Sequence, residues 1–308
     1  MLLGGLEAGG TKCLCLVGTG PDRLLAEARV PTTTPAATIT AVLQFFRDAQ
    51  AAHGPLDALG IASFGPLDLH HDSPTFGFIT STPKPGWAAT DIAGALHRGL
   101  GVPVAIDTDV NAAALGEWRW GAAQGLDTIV YVTVGTGIGG GGLAGGRTLR
   151  GLVHPEMGHM RVPHDLVADP FPGSCPFHAD CLEGLASGPA LAARWGQPPE
   201  TLPPDHPAWA LEARYLALAL HNIVCTLSPE RIVLGGGVME AAHLLPLVRH
   251  QLQALLHGYI QAPELDRDVA GYVVAPVLGR RAGAIGALAL AERCADGPGT
   301  PAVARASI

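Results

Sequence analysis

Charge is scarce in this sequence. Asp, Glu, Lys and Arg together make up 15% of its 308 residues, against about 25% in an average soluble domain. The balance is acidic, with a formal net charge of −8 and no cluster of Lys or Arg. That distribution argues against the basic stripe of a nucleic-acid-binding surface. No apolar run reaches the ~18 uninterrupted residues that a membrane span needs, so no membrane contact is expected. Glu7 and Lys12 lie within the first strand-like run, which is the wrong chemistry for the apolar core of a secretory signal. A cytoplasmic protein is the expectation. Cysteine is also sparse: six residues, unevenly placed, do not make a disulfide framework in a chain this long. Cys13 and Cys15 alternate with leucines in an apolar strand, Cys225 lies in an apolar helix and Cys294 is near the C-terminus. For these four, a buried or incidental thiol is the plain reading.

What the chain has is apolar residues, at 48%, and glycine, at 41 residues. The first is enough for a large core and two domains of ordinary size. The second is concentrated at strand ends. An apolar strand runs into Glu7-Ala8-Gly9-Gly10-Thr11-Lys12, another into Gly135-Thr136-Gly137-Ile138-Gly139-Gly140, and a third, Arg231–Leu234, into Gly235-Gly236-Gly237. Glycine at such a turn lets backbone N–H groups come close to an anion, and a Thr hydroxyl adds a donor. None of the three fits the P-loop or the dinucleotide fingerprint. Singly, each could be no more than a tight strand end; together they point to a polyphosphate gripped from two sides.

The coarse pattern is α/β. A hairpin over 2–17 is followed by a strand at Leu24–Val30, a helix at Pro35–His53, a strand at Gly60–Ser63 and a long Pro- and Gly-rich loop from Gly65 to Trp87. Loops of that length in compact domains are usually functional or mobile. A helix at Asp91–Leu100, a strand at Val104–Asp107 and a helix at Val110–Trp120 complete a first half. The pattern restarts with a strand at 128–134 and a second near Gly141–Ala144, then a Cys/His-rich insertion from His159 to Cys181. The helix Ala208–Leu227, strands at Ile232–Leu234 and Val273–Pro276 and a closing helix at Arg281–Arg293 follow. Alternation of this kind predicts mostly parallel, mixed sheets. The domains expected are 1–115, completed by about 281–295, and 116–280, with a loose tail over 296–308. Helix 208–227 could serve as core or as interface.

Two constellations carry chemistry. Asp107-Thr108-Asp109-Val110-Asn111 sits where a strand passes into a helix, the place where α/β folds present side chains to a ligand. Asp109 could cap that helix; it could equally take a proton from a hydroxyl acceptor, with Glu156 and Glu183 available to bind it. The second is Cys175-x2-His178-x2-Cys181, three metal ligands within seven residues. A nearby His (His154, His159 or His164) would complete a tetrahedral, closed and therefore structural zinc site.

These residues carry a resemblance over nearly the whole chain. Glu7–Lys12, Asp107–Ala113, Gly135–Gly140, Glu156-Met157-Gly158-His159 and Cys175–Glu183 resemble the ROK family of repressors, open reading frames and sugar kinases. Ser63-Phe64-Gly65-Pro66-Leu67-Asp68 and Thr80–Trp87 resemble its bacterial fructokinases. The resemblance implies the actin-like, ribonuclease-H-like ATPase fold, two α/β domains closing over a cleft. It implies Asp109 as general base, Glu156, His159 and Glu183 as sugar ligands, and Gly10, Thr11, Lys12, Thr136, Gly137, Gly235, Gly236 and Gly237 as nucleotide-binding residues. His159 becomes the fourth zinc ligand beside Cys175, His178 and Cys181. Mg²⁺ with ATP, a hexose, fructose first, and a homodimer follow from the same resemblance. Three positions depart from the family pattern. Glu7 stands where Asp is common, with a Mg²⁺ contact in question; Thr108 replaces a sugar-binding Asn; His178 replaces a Cys, an exchange zinc accepts. A family repressor would need a DNA-binding domain ahead of the loop that starts at residue 5, and a sugar sensor would not need an intact Asp109. A kinase for mannose, glucose or an N-acetylhexosamine is the alternative within enzymes.

Overall fold

The computed structural model describes residues 1–297 and the strand at 302–303. Its strands are β1 (Leu3–Ala8), β2 (Lys12–Gly18), β3 (Leu24–Pro31), β4 (Ala58–Ser63), β5 (Phe78–Ile79), β6 (Thr90–Asp91), β7 (Val104–Thr108), β8 (Ile129–Val134), β9 (Ile138–Ala144), β10 (Arg147–Thr148), β11 (Arg231–Gly235), β12 (Val273–Val274) and β13 (Ala302–Val303). The helices are α1 (Pro35–His53), α2 (Ile92–Leu100), α3 (Asp109–Trp120), α4 (Leu182–Ala186), α5 (Gly188–Trp195), α6 (Ala208–Leu227), α7 (Leu244–Leu256), α8 (Pro263–Asp266), α9 (Val269–Tyr272) and α10 (Ala282–Ala295). The loose tail expected over 296–308 lies mostly outside the described residues; within it, β13 pairs antiparallel with β7.

Contacts divide the chain into two compact units. The first holds Met1–Gln124, Thr148–Pro155 and the chain from Arg280. Its sheet runs β13–β7–β4–β1–β2–β3. β1 is antiparallel to β2 and β2 to β3, while β1, β4 and β7 are parallel. The parallel strands are covered on both faces and buried almost throughout, whereas β3 alternates in exposure as a half-solvated edge strand does. Phe46, Leu6, Ile61, Leu96, Ile106 and Trp87 build the core on the α1 face. The opposite face takes α10 at very close range. A Cβ on Gly60 would lie 1.9 Å from the Ala287 carbonyl oxygen, and one on Gly286 would lie 1.8 Å from that of Ala112. Helix on sheet and helix on helix therefore meet backbone to backbone, which is why α10 has Ala or Gly at the points of closest approach.

The second unit holds Gly125–Arg147 and Glu156–Gly279, with sheet order β10–β9–β8–β11–β12. β8 is antiparallel to β9 and parallel to β11, which is parallel to β12. α6 is a core helix of this unit: Trp209, Ala213, Leu216, Leu220 and Ile223 are buried, while Ala210, Arg214 and the last turn, with Cys225, are exposed. Numbered within each sheet, both contain the strand order 3-2-1-4-5. One topology thus occurs twice, the duplicated ribonuclease-H-like plan of the actin-like ATPases. Among the described residues no helix is long and apolar enough to cross a membrane.

Candidate active site

In the first unit, three parallel strands end side by side. Register pairs Glu7 of β1 with Ala62 of β4, and Ala62 with Asp107 of β7. The first glycine loop follows β1. Gly9 N–H donates to Lys12 O at 3.1 Å, Thr32 N–H to Thr11 O at 3.0 Å and Thr32 Oγ1 to Gly9 O at 2.7 Å. Gly9 is sterically required, since a Cβ there would lie 2.8 Å from Lys12 O. Gly10 is not: a Cβ would meet nothing within 4 Å, so the missing side chain leaves open space above an exposed turn.

The strand-to-helix corner sorts its two aspartates. Asp107 is buried and fully engaged: Oδ2 accepts from Arg150 Nη2 at 2.7 Å, and Oδ1 accepts from Thr108 N–H at 2.8 Å and Asn111 Nδ2 at 2.9 Å. Asn111 also donates to Leu149 O at 3.0 Å. The helix cap that Asp109 could have supplied is supplied by Thr108, whose hydroxyl accepts from Asn111 N–H at 3.1 Å. Asp109 occupies the first turn of α3, half-buried, with Oδ1 accepting from Val110 N–H at 2.9 Å. A carboxylate is favoured there by the helix dipole.

In the second unit the other two glycine loops lie next to each other, as β8 and β11 are neighbouring parallel strands with Thr133 paired to Gly235. Gly236 has φ +98°, and a Cβ on it would lie 2.3 Å from Val134 O. Gly188 N–H, at the start of α5, donates to Gly135 O at 2.8 Å. Glu183 Oε2 accepts from Ile138 N–H at 2.9 Å, and a Cβ on Gly137 would lie 2.7 Å from that oxygen. Glu183, one residue into α4, thus braces the Thr136–Gly137 loop with one oxygen, a tie that the sequence did not reveal. Glu156 opens a short 3₁₀ turn, Met157–His159, which packs on β9 so closely that a Cβ on Gly158 would lie 1.7 Å from Ile138 O.

His159, Cys175, His178 and Cys181 converge, with ligand atoms all within 4.8 Å of one another. His159 Nδ1 lies 3.8 Å from Cys175 Sγ and 3.5 Å from Cys181 Sγ, and His178 Nδ1 lies 3.7 Å from Cys175 Sγ. With Nδ1 toward the thiols, His159 Nε2 faces away from them. The other two candidate histidines are engaged elsewhere: His154 Nε2 accepts from Leu67 N–H at 3.1 Å, and His164 bonds Asp169 O at 3.0 Å. Burial pushes the Cys181 thiol up to about 11, with Cys175 beside it adding to the shift. A cation that holds the thiolate form relieves that cost.

Residues 3–294 match the ROK family. The chain belongs to the ROK family. It is 45% identical over 296 residues to a fructokinase of Zymomonas mobilis, covering 94% of this chain and 96% of that protein. To a fructokinase of Pediococcus pentosaceus it is 41% identical over 292 residues, covering 95% and 98%. Among solved structures, a ROK glucokinase from Streptomyces griseus, in complex with glucose and AMPPNP, superposes with a TM-score of 0.73 at 27% identity. That match covers 95% of this chain and all of that one.

Two features of this ROK chain could not be read from sequence, because their members are far apart along it. Arg150 and Leu149 dock on Asp107 and Asn111, which fixes the segment Thr148–Pro155 to the end of β7. Behind the Cys/His loop, Asp169 accepts from Arg194 Nε at 3.1 Å and from Tyr215 Oη at 2.5 Å.

Glu7 stands at the same strand-end corner as Asp107. Its carboxyl lies against Gly283 and accepts from Ala284 N–H in the first turn of α10. Burial, with Asp109 nearby, pushes it up from 4.5 to about 7, against the opposing pull of that N–H and of Lys12. The folded protein therefore holds a proton here that the unfolded chain has lost. The associated stability is complete at low pH and is lost as pH rises from 4.5 to about 7. In melts without nucleotide or Mg²⁺, the Tm advantage of Glu7→Gln over the parent should grow across that window and level off above it. A difference that does not vary with pH would refute the assignment.

Proposed function

We propose that this ROK chain is an ATP-dependent fructokinase, transferring the γ-phosphoryl of MgATP to the 6-hydroxyl of D-fructose. The observation that carries the reading is the 45% identity to the Zymomonas mobilis fructokinase across nearly the full length of both chains. In this mechanism Asp109 takes the proton from O6. The O6–Pγ bond forms as the bond from Pγ to the β,γ-bridging oxygen breaks, and the electron pair leaves on ADP. The nucleotide-binding residues are those of the glycine loops, Gly10, Thr11, Lys12, Thr136, Gly137 and Gly235–Gly237. Glu156, His159 through Nε2 and the second oxygen of Glu183 bind the sugar. Bound Mg²⁺ would neutralise phosphate charge, and Glu7, whose buried carboxylate form is costly beside Asp109, fits a cation or its water.

The Cys/His cluster fits zinc. Zn–S of about 2.3 Å and Zn–N of about 2.0–2.1 Å at tetrahedral angles put S and N about 3.6 Å apart, and three of the four S···N pairs lie at 3.5, 3.7 and 3.8 Å. With four protein ligands the ion would be structural, holding Glu156 and His159 in place. The resemblance adds a homodimer working in the cytoplasm.

The test is ADP release with MgATP against fructose, mannose, glucose, N-acetylglucosamine and N-acetylmannosamine at equal concentrations. Fructose should give the highest kcat/KM. A preference for another sugar would keep the chemistry and overturn the substrate; no sugar-stimulated release would overturn the kinase reading.

A further inference from the structure

Among its 19 basic residues the chain has 17 arginines and only two lysines, Lys12 and Lys84. Both meet at the first glycine loop, though 72 residues separate them in sequence. Lys12 ends the loop, and its charge acts on Glu7. Lys84 reaches the loop from outside: its Nζ donates to Gly10 O at 2.5 Å.

The segment bearing Lys84 is held firmly. Pro83 and Pro85 flank it and limit its backbone. Trp87, fully buried, donates from Nε1 to Thr33 O at 2.8 Å, packs edge-on to Phe64 with centroids 5.4 Å apart, and donates its N–H to Lys84 O at 3.2 Å. Thr80, at the other end, donates its N–H to Pro66 O at 2.8 Å and accepts from Ala89 N–H at 3.1 Å. A lysine on a pinned turn loses little further entropy when it binds.

What Lys84 lacks is a negative partner. Among the described residues its ammonium meets no carboxylate; its one hydrogen bond is to a backbone carbonyl, and the side chain is half-buried. The loop beside it has matching vacancies. Its carbonyls are satisfied, Gly9 O by Thr32, Gly10 O by Lys84 and Thr11 O by Thr32 N–H, while the N–H groups of Gly10 and Thr11 have no acceptor among the described residues. With no Cβ on Gly10, nothing within 4 Å obstructs that space. Backbone donors, open space and an unneutralised ammonium on one turn make a site for a compact dianion. Lysine suits it better than arginine, because a rotating point charge fits beside a tight turn where a planar guanidinium would need room for its fork.

We propose that Lys84 is a phosphoryl-binding residue, holding the terminal phosphate of the nucleotide over Gly10–Thr11 and stabilising its oxygens while they carry the charge of transfer. This rests on the sugar-kinase reading above and adds to it a residue from the Thr80–Trp87 segment, outside the three glycine loops. A preorganised cation of this kind is worth about 10²–10³-fold in kcat.

Two variants test it. Lys84→Met removes charge and hydrogen bond; Lys84→Gln keeps an amide donor for Gly10 O and removes only the charge. Each is measured for kcat with MgATP and fructose, for calorimetric affinity to Mg-AMPPNP and MgADP, and for Tm. Both variants should lose about 10²-fold in kcat. Both should also lose at least about tenfold in AMPPNP affinity with ADP affinity changed less than about threefold, so that discrimination for the γ-phosphate collapses. A Lys84→Gln protein with wild-type kcat and discrimination would overturn the proposal. Equal losses for both nucleotides would overturn it in favour of a scaffold role. If the parent protein turns over no hexose, the kinase reading fails by itself, and the ratio of AMPPNP to ADP affinity still decides the role of Lys84.

Discussion

Asp109→Asn lowers kcat by ~10²–10⁴-fold, with the KM for fructose within about threefold of the parent value. The substitution is chosen for its small structural effect. Asn keeps an oxygen for Val110 N–H, now 2.9 Å from Oδ1, and the helix cap is carried by Thr108, so the start of α3 stays in place. What disappears is the basic oxygen. Asp107 cannot substitute, because its carboxylate is buried and held by Arg150, Thr108 N–H and Asn111. The measurement is steady-state kinetics at saturating MgATP. A variant retaining more than half of the parent kcat would remove Asp109 from the general-base role.

The proposed zinc site predicts that Cys181→Ser will abolish metal binding and lower Tm by on the order of 5–10 °C, the shift expected when a few kcal/mol of loop organisation is lost from a chain of this size. Cys181 connects the parts of the loop: its Sγ lies 3.5 Å from His159 Nδ1, its backbone forms a bridge with Arg161, and α4 with Glu183 begins at the next residue. Losing the ion therefore loosens His159 and Glu183 together, and the KM for fructose should rise more than that for MgATP. Elemental analysis of the parent and variant proteins checks the metal, and a melt checks the loop. A parent protein purified without zinc yet fully active, or a variant that retains the ion, would contradict the structural assignment.

Much of this was legible because the relevant signals are local. Strand-then-glycine turns are short-range patterns, and the Cys175, His178 and Cys181 spacing brings three ligands together within one loop. Where the sequence misled, packing gave the reason. β9 begins at Ile138, not near Gly141, because its glycines looked like loop; they are strand residues kept small by the 3₁₀ turn lying across them, a Cβ on Gly140 falling 2.6 Å from Met157 Sδ. The long loop after Gly65 contains β5, paired with β6, strands too short to show a period. Asp91, read as the first residue of a helix, is its cap, accepting from Gly94 N–H at 2.8 Å. The cap on α3 went to Thr108 and not to Asp109, since either residue type serves and only the backbone decides. Least legible were the long-range ties, Arg150 to Asp107 and Lys84 to Gly10, for which no spacing rule exists.

The most direct measurement is ³¹P NMR of the purified protein with MgATP and D-fructose. The account predicts equal amounts of ADP and fructose 6-phosphate, formed as the γ-phosphate resonance of ATP disappears. ADP with free inorganic phosphate, or a phosphate ester at another hydroxyl, would contradict it.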